Sequence, residues 1–194
     1  MKKLLFEEIT AQRSTPEQLQ KLPRLPVGVL LDNIRSLYNV GAIFRTADGA
    51  RVEEIVISGI TGFPPRKEIE KTALGATETV PWLRIVNPVE AVEHYRQQGY
   101  QIVVLEHTDS SVPHWEFVYQ FPTLLILGNE VWGVSDELLP LADAAIEIPM
   151  LGAKQSLNVS VAFGIVVYHI LNVYLKQFGA LENYPNKTKI LKPE

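Results

Sequence analysis

The chain has 194 residues, of which 46% are hydrophobic and 21% charged, and it carries a formal net charge of −4. That length sustains one domain with a substantial core, and that composition excludes gross disorder. The lack of cysteine excludes disulfides, thiolate metal sites and a cysteine nucleophile, and it fits a cytoplasmic protein.

The N-terminus pairs Lys2 and Lys3 with a short apolar patch, but Glu7 and Glu8 follow at once, which does not fit a secretory leader. "VGVLLDN" (27–33) is a continuous apolar run and predicts a buried strand. "NVGAIFRTADGA" (39–50) predicts a helix, with Asn39 as its N-cap and Val40, Ile43, Phe44 and Ala47 as its apolar stripe. A strand over 53–59 follows, then a Pro/Gly loop with a short helix within 61–76, then a strand over 79–86. Residues 88–99 read as a helix stopped by Gly99, and 100–107 and 123–129 as strands. A short helix over 135–142, capped by Ser135, leads to a last strand over 144–150. A long helix from about 158 to 177 closes the chain.

Strands alternating with helices predict an α/β fold with a mostly parallel sheet flanked by helices. Ligands in such sheets sit beyond the carboxyl ends of the strands. Those ends are Asp32-Asn33, Glu106-His107, Gly128-Asn129-Glu130 and the stretch from Pro149 to Gly152. The last helix is apolar on several faces, so a second copy of the chain is expected to cover one of them. Its apolar run around 159–167 reads as too short to span a membrane, and no membrane partner is expected.

Several chemistries lack their signatures. There is no G-x-G-x-x-G, no phosphate-binding G-x-x-x-x-G-K-[ST] and no G-x-S-x-G. His94, His107, His114 and His169 show no metal-ligand spacing, so no metal site is expected. His169, among aliphatic residues, reads as a core or interface histidine.

Three segments carry polar residues beyond what folding needs. In "NVGAIFR", Gly41 and Arg45 share one helix face; the glycine leaves room for a ligand and the arginine can grip a phosphate or oxyanion. In "LGNEVWG", Gly128 and Gly133 offer bare backbone to a cofactor, and Glu130 can bind a cation or orient a polar group. In "IPMLGAKQSLNVS", Ile148 and Met150 can line an apolar slot, while Ser156 and Asn158 supply two polar groups where one cap would suffice.

Taken together and in this order, "NVGAIFR", "KTALGA", "LGNEVWG" and "IPMLGAKQSLNVSVA" resemble the motifs of the TrmH (SpoU) family in the SPOUT superfamily of RNA methyltransferases, over roughly residues 27–175. The resemblance implies a single SPOUT domain over 1–194, with short extensions at 1–26 and 179–194. It implies S-adenosylmethionine as methyl donor, an RNA ribose 2′-hydroxyl as acceptor, a homodimer, and a deep trefoil knot in the C-terminal half. On the matching positions, it casts Arg45, Asn39, Glu130, Ser156 and Asn158 as catalytic. It casts Leu105, Leu127, Gly128, Ile148, Met150, Leu157 and Asn158 as cofactor-lining. Trp132 is left to stack on a base or to pack at the dimer seam.

The target RNA is expected to be tRNA rather than rRNA, because the catalytic region starts near residue 27 and leaves no room for an added recognition domain. Basic residues near both ends (Lys2, Lys3, Arg13, Lys21, Arg24; Lys187, Lys189, Lys192) offer a backbone grip. Arg35, Arg45, Arg51, Arg66, Lys67 and Lys71 fall in the first third of the chain and leave RNA binding by a local patch open, although the net charge argues against a strongly basic binder, and DNA is not expected. The rival readings are a knotted methyltransferase acting on a base nitrogen and a non-catalytic RNA-binding protein of the same fold.

Overall fold

The computed structural model describes residues 1–11, 14–15, 18–19 and 21–179. Arg13 and the basic tail with Lys187, Lys189 and Lys192 lie outside the described residues, as does the C-terminal extension beyond Gly179.

The centre is one sheet of seven strands: β1 (Leu25–Asp32), β2 (Val52–Ser58), β3 (Trp82–Arg84), β4 (Gln101–Leu105), β5 (Val112–Pro113), β6 (Thr123–Leu127) and β7 (Ala144–Glu147). Their order is β3-β2-β1-β6-β4-β7-β5, and every pairing is parallel. The helices are α1 (Phe6–Thr10), α2 (Leu37–Ala50), α3 (Lys67–Ala73), α4 (Ala76–Thr79), α5 (Pro88–Gln97) and α6 (Val159–Phe178).

β1 shows why the strands read as unbroken apolar runs. Val27, Val29 and Leu31 face a core shared with α2 and α6. Leu30 faces a second core with Ala91, Val92 and Tyr95 of α5. Helices therefore cover both faces, and both sides of each strand must be apolar. The chain builds outward from β1 through β2 to β3, then crosses to β4 and later inserts β6 between β1 and β4. That reversal places a crevice at the carboxyl ends of β1, β6, β4 and β7.

Three local readings of the sequence are corrected. The expected helix over 135–142 is a single 3-10 turn, Leu139–Leu141, with Pro140 in its first turn. Pro140 has no N–H to donate, and Ser135 is drawn away from a capping role: its N–H donates to Asp32 Oδ2 at 2.8 Å and its Oγ accepts from Asn33 Nδ2 at 3.2 Å. The N-cap of α2 is Ser36, not Asn39; the Ser36 hydroxyl accepts from the Asn39 N–H at 3.3 Å. Two capping residues three positions apart compete there, and the earlier one wins, which leaves the Asn39 side chain free for a long-range bond. Finally, α6 spans 20 residues and is long and apolar enough, by length and composition, to cross a membrane. Its Phe163, Val166, Val167 and Ile170 are nevertheless packed in the core beside α2.

Candidate functional site

The carboxyl ends of β4 and β6 and the loops after β6 and β7 enclose a cavity of about 250 Å³, a little under the usual 300–1,000 Å³ of ligand pockets. Leu105, Leu127, Gly128, Ile148, Met150, Leu157 and Asn158 all line it, as does Ser156. Segments more than fifty residues apart in sequence thus meet around one space, because β4, β6 and β7 end on the same edge of the sheet.

The charge of this lining is one-sided. Glu106, Glu130 and Glu147 contribute carboxylates, and among the described residues no lysine or arginine lines the cavity. At one end, Glu147 Oε2 accepts from the Ser111 hydroxyl at 2.5 Å and lies 3.2 Å from His107 Nδ1. Those two partners hold the Glu147 carboxyl below the usual carboxylate range. Glu106 faces the opposite loop: its Oε2 accepts from the Val134 N–H at 3.0 Å, and its Oε1 from the His107 N–H at 2.8 Å.

Glu130 is the hub between the cavity and α2. Its Oε2 accepts from the Arg35 N–H at 2.8 Å; its Oε1 accepts from the Ser36 N–H at 3.0 Å and from Asn39 Nδ2 at 2.8 Å. Burial alone would push this carboxyl up, but the hydrogen bonds from Arg35, Ser36 and Asn39 outweigh it and hold the group below its ordinary value. Asn39 then passes the connection on, since its Oδ1 accepts from Asn158 Nδ2 at 3.0 Å. Asn158 is also the N-cap of α6, accepting from the Ser160 N–H at 2.9 Å. A single chain of polar contacts, Glu130–Asn39–Asn158, therefore ties the loop after β6 to the start of α2 and the start of α6. Each Asn has its amide orientation fixed by the two partners it must serve.

Gly128 and Gly133 line the cavity, whereas Gly41 does other work than the sequence suggested. A Cβ on Gly41 would lie 2.1 Å from Thr72 Oγ1 and 2.2 Å from the Ile69 carbonyl oxygen. Gly41 lets α2 and α3 approach, so the space it leaves is filled by protein and not by a ligand. Gly133 has φ +72°, and a Cβ there would meet Glu106 Oε2 at 2.1 Å. It permits the turn that Glu106 latches. Gly128 lines the cavity, and a Cβ on it would fall 2.1 Å from the Val134 nitrogen. The tight pairing of Asn129 with Gly133 leaves it no room.

Sequence reasoning missed the latch residues. Asp32 is fully buried, and its two oxygens accept from Ser135 N–H and Asn33 Nδ2. Asn33 adopts φ 57°, a left-handed conformation that Asn tolerates better than most residues. Its carbonyl accepts from Asn129 Nδ2 at 2.7 Å, and its Oδ1 from the Ile60 N–H at 3.0 Å. The available signal was an Asp-Asn pair closing an apolar strand, which favours a backbone-binding turn.

Arg45 is not among the residues that line the cavity. It is exposed, on the side of α2 that carries Tyr38, Gly41 and Asp48 toward α3 and α4. Trp132, 85% exposed, projects from the tip of the loop after β6, where its N–H donates to Asn129 Oδ1 at 3.1 Å.

A parallel sheet with a cavity at its switch point defines a ligand-binding α/β protein, and comparison with known proteins gives the family. The model of the SpoU rRNA Methylase family matches residues 26–168, and the chain belongs to that family. It is 39% identical over 140 residues to a tRNA (guanosine(18)-2′-O)-methyltransferase of Aquifex aeolicus, covering 72% of this chain and 66% of that protein. It is 34% identical over 171 residues to the protein of the same name from Thermus thermophilus, covering 88% and 87%. Among solved structures, the A. aeolicus TrmH/SpoU tRNA modifying enzyme superimposes with a TM-score of 0.76 at 34% identity over 84% of this chain and 83% of that one. An AdoMet-bound rRNA methyltransferase from Sinorhizobium meliloti gives 0.72 at 30% identity, over 79% and 57%.

Proposed function

We propose that the protein is an S-adenosylmethionine-dependent methyltransferase that modifies a ribose 2′-hydroxyl of tRNA, working in the cytoplasm as a single SPOUT domain. The observation that carries this reading is the cavity itself. Apolar strand ends offer a slot for a flat adenine, and Glu106, Glu130 and Glu147, with no lysine or arginine beside them, suit a positively charged sulfonium and disfavour phosphates. The Aquifex and Thermus relatives carry the tRNA 2′-O-methyltransferase name, and the similar Sinorhizobium structure holds AdoMet. That last protein is an rRNA methyltransferase, which keeps rRNA as the second substrate to assay.

The bound cofactor would supply a methyl group already activated on a positively charged sulfur. The chain's own task is alignment and activation of a poor nucleophile. We assign Leu105, Leu127, Gly128, Ile148, Met150 and Leu157 to holding the donor, and Ser156 and Asn158 to orienting donor and ribose. Glu130 is an orienting group: its oxygens already accept three N–H bonds and its pKa is depressed, so it is a poor proton acceptor near neutral pH. The hydroxyl proton passes to Glu130 or to an RNA phosphate; both are weak bases, so it leaves as the oxygen is methylated rather than before. Arg45 is assigned to electrostatic stabilisation of the ribose oxygen, because a guanidinium stays protonated and acts as a poor base. Because Arg45 lies outside the cavity lining, this role requires the ribose to approach from the α2 side or the guanidinium of a second copy to reach the cavity.

The dimer and the knot belong to the same proposal. Val161 and Ile165, successive on one side of α6, are 51% and 40% exposed, a face that a second copy would cover. Insertion of β6 between β1 and β4, followed by the return of 148–158 to α2, supports a C-terminal trefoil path. Sedimentation is expected to show a dimer, and Val161→Glu with Ile165→Glu to convert it to monomer; a monomeric wild type would overturn the assignment. The activity is tested by incubating the protein with labelled AdoMet and unmodified tRNA or rRNA, then digesting the RNA and locating the methyl group by mass spectrometry. A 2′-O-methyl nucleoside from tRNA is expected. A methyl group on a base, or none on either RNA, would refute the reading.

A further inference from the structure

We propose that Arg35, Arg66, Lys67 and Lys71, together with Arg45, form the face on which the RNA backbone docks beside the cavity. This rests on the methyltransferase reading above and assigns its substrate-docking surface.

The chain is acidic overall, yet these five cations are exposed and unpaired. Among the described residues the ion pairs are Lys2–Glu8, Arg96–Asp143 and His107–Glu147, and none uses a member of this group. Exposed basic side chains with no acidic partner are free to meet the phosphates of a polyanion.

Helix packing gathers them. Gly41 lets α2 lie against the Ile69 carbonyl and Thr72 of α3, and the Thr72 hydroxyl donates to the Tyr38 carbonyl at 3.0 Å. The Arg66 side chain and Leu37 both lie against Gly62, which brings Arg66 to the start of α2 near Arg35. Lys67 and Lys71 are one turn apart on the outer side of α3, opposite the buried Ile69 and Ala73. Arg45 is one turn from Gly41 on the α3-facing side of α2.

Among the described residues, neighbouring acids bond to neutral donors and form no ion pair with the five cations. Glu70 accepts from the Thr77 hydroxyl at 2.9 Å, and Asp48 from that of Thr79 at 2.6 Å. Glu130 is occupied by the Arg35 and Ser36 N–H groups and by Asn39. Glu68 and Glu78 are exposed as well, and neither is ion-paired with any of the five cations. Arg51, grouped with these residues by sequence position, is excluded: it donates to the carbonyls of Leu19, Leu22 and Pro23 and fastens the segment before β1.

The face adjoins the cavity through Arg35, whose N–H is bound by the cavity-lining Glu130. The two surfaces have opposite sign. A polyanion is repelled by Glu106, Glu130 and Glu147 and attracted to the basic face, while a cationic donor is sorted the other way. Tyr38, half exposed and two turns from Arg45 on the same side of α2, adds an aromatic surface on which a base can stack. Phosphate contacts of this kind set register and orientation and leave sequence choice to other groups.

Fluorescence anisotropy of a labelled tRNA transcript, titrated with the full-length dimer across a range of KCl concentrations, tests this. Each phosphate contact contributes about 0.7–0.9 to the slope of log affinity against log salt. Lys67→Glu with Lys71→Glu is expected to weaken binding at least about tenfold at low salt and to flatten the slope by about 1.4–1.8. The milder Lys67→Gln with Lys71→Gln should flatten it comparably and weaken binding less. AdoMet affinity by calorimetry is expected to stay at the wild-type value in both, which reports an intact fold. Lys2→Glu with Lys3→Glu serves as the comparison at the N-terminal end. Wild-type affinity and slope in the face variants would overturn the assignment of this surface while leaving the methyltransferase reading standing. A wild-type protein that binds neither tRNA nor rRNA would overturn both.

Discussion

The two loops that wall the cavity are built by opposite means. The loop after β6, 128–135, is bonded to the rest of the subunit almost at every step. Asp32 takes the Ser135 N–H, Glu106 takes the Val134 N–H, Asn129 takes the Val131 and Trp132 N–H groups, and the Asn129 amide returns to the Asn33 carbonyl. The loop after β7 runs exposed from Leu151 to Asn158, and its far end is tied through Asn158 to Asn39. One wall is fixed by folding; the other is held at its ends, with its middle open to whatever binds. Substitutions in the first should therefore register as lost stability, and substitutions in the second as lost binding or turnover.

The largest effect is expected from Asp32→Ala. It removes a fully buried carboxylate, leaves the Ser135 N–H without its acceptor and takes one of two acceptors from the Asn33 amide, at a cost of about 2 kcal/mol, readable by urea denaturation. A loss below about 1 kcal/mol would erase the difference between the walls. Asn158→Ala should cost about 1 kcal/mol through the lost helix cap, while lowering AdoMet affinity more than Asp32→Asn does. A double-mutant cycle with Asn39→Ala should give a coupling of about 0.5–1 kcal/mol; strict additivity would mean that the Asn39–Asn158 bond joins nothing.

Acid titration sharpens the comparison further. Glu130 has a folded pKa below its unfolded value, so its stabilising contribution is complete above the unfolded pKa, about 4.3, and is lost as pH falls through the lower folded value. Glu130→Gln should flatten that acid limb; an unchanged limb would assign the pH dependence to other groups. His114 and His169 act at higher pH. Burial lowers both pKa values, each ring has a buried nitrogen without a partner, and the rings stack edge to face at 4.9 Å. A depressed histidine pKa means the unfolded chain binds the extra proton first, so melting temperature should fall as pH drops below about 6.5. His169→Phe should remove part of that slope, the smallest effect of the set.

Local pattern reached much of this arrangement. Continuous apolar runs located six of the seven strands, and the two-residue β5 was too short to leave a periodic trace. The apolar and glycine positions assigned to the cofactor meet at one cavity because they sit at strand ends, which sequence marks clearly. What pattern could not reach depends on partners far along the chain. Gly41 looked like an opening for a ligand, but its missing Cβ makes room for Ile69 and Thr72, while Gly133 both lines the cavity and makes room for Glu106. Asp32 and Asn33 looked only like a strand end facing a ligand, yet they bond residues roughly a hundred positions away. Ser36 and Asn39 both suit a helix start, and only the pull of Glu130 and Asn158 decides which caps and which bridges.

The role of Arg45 tests the proposed chemistry most directly, because it separates activation from binding. Single-turnover methyl transfer to tRNA should be measured for Arg45→Ala, alongside calorimetric titration of AdoMet. The expected result is a cofactor affinity within about twofold of wild type and a transfer rate reduced by about a hundredfold or more, the scale on which a charge-stabilising donor acts. Transfer at the wild-type rate would contradict the assignment of this guanidinium to the reacting oxygen.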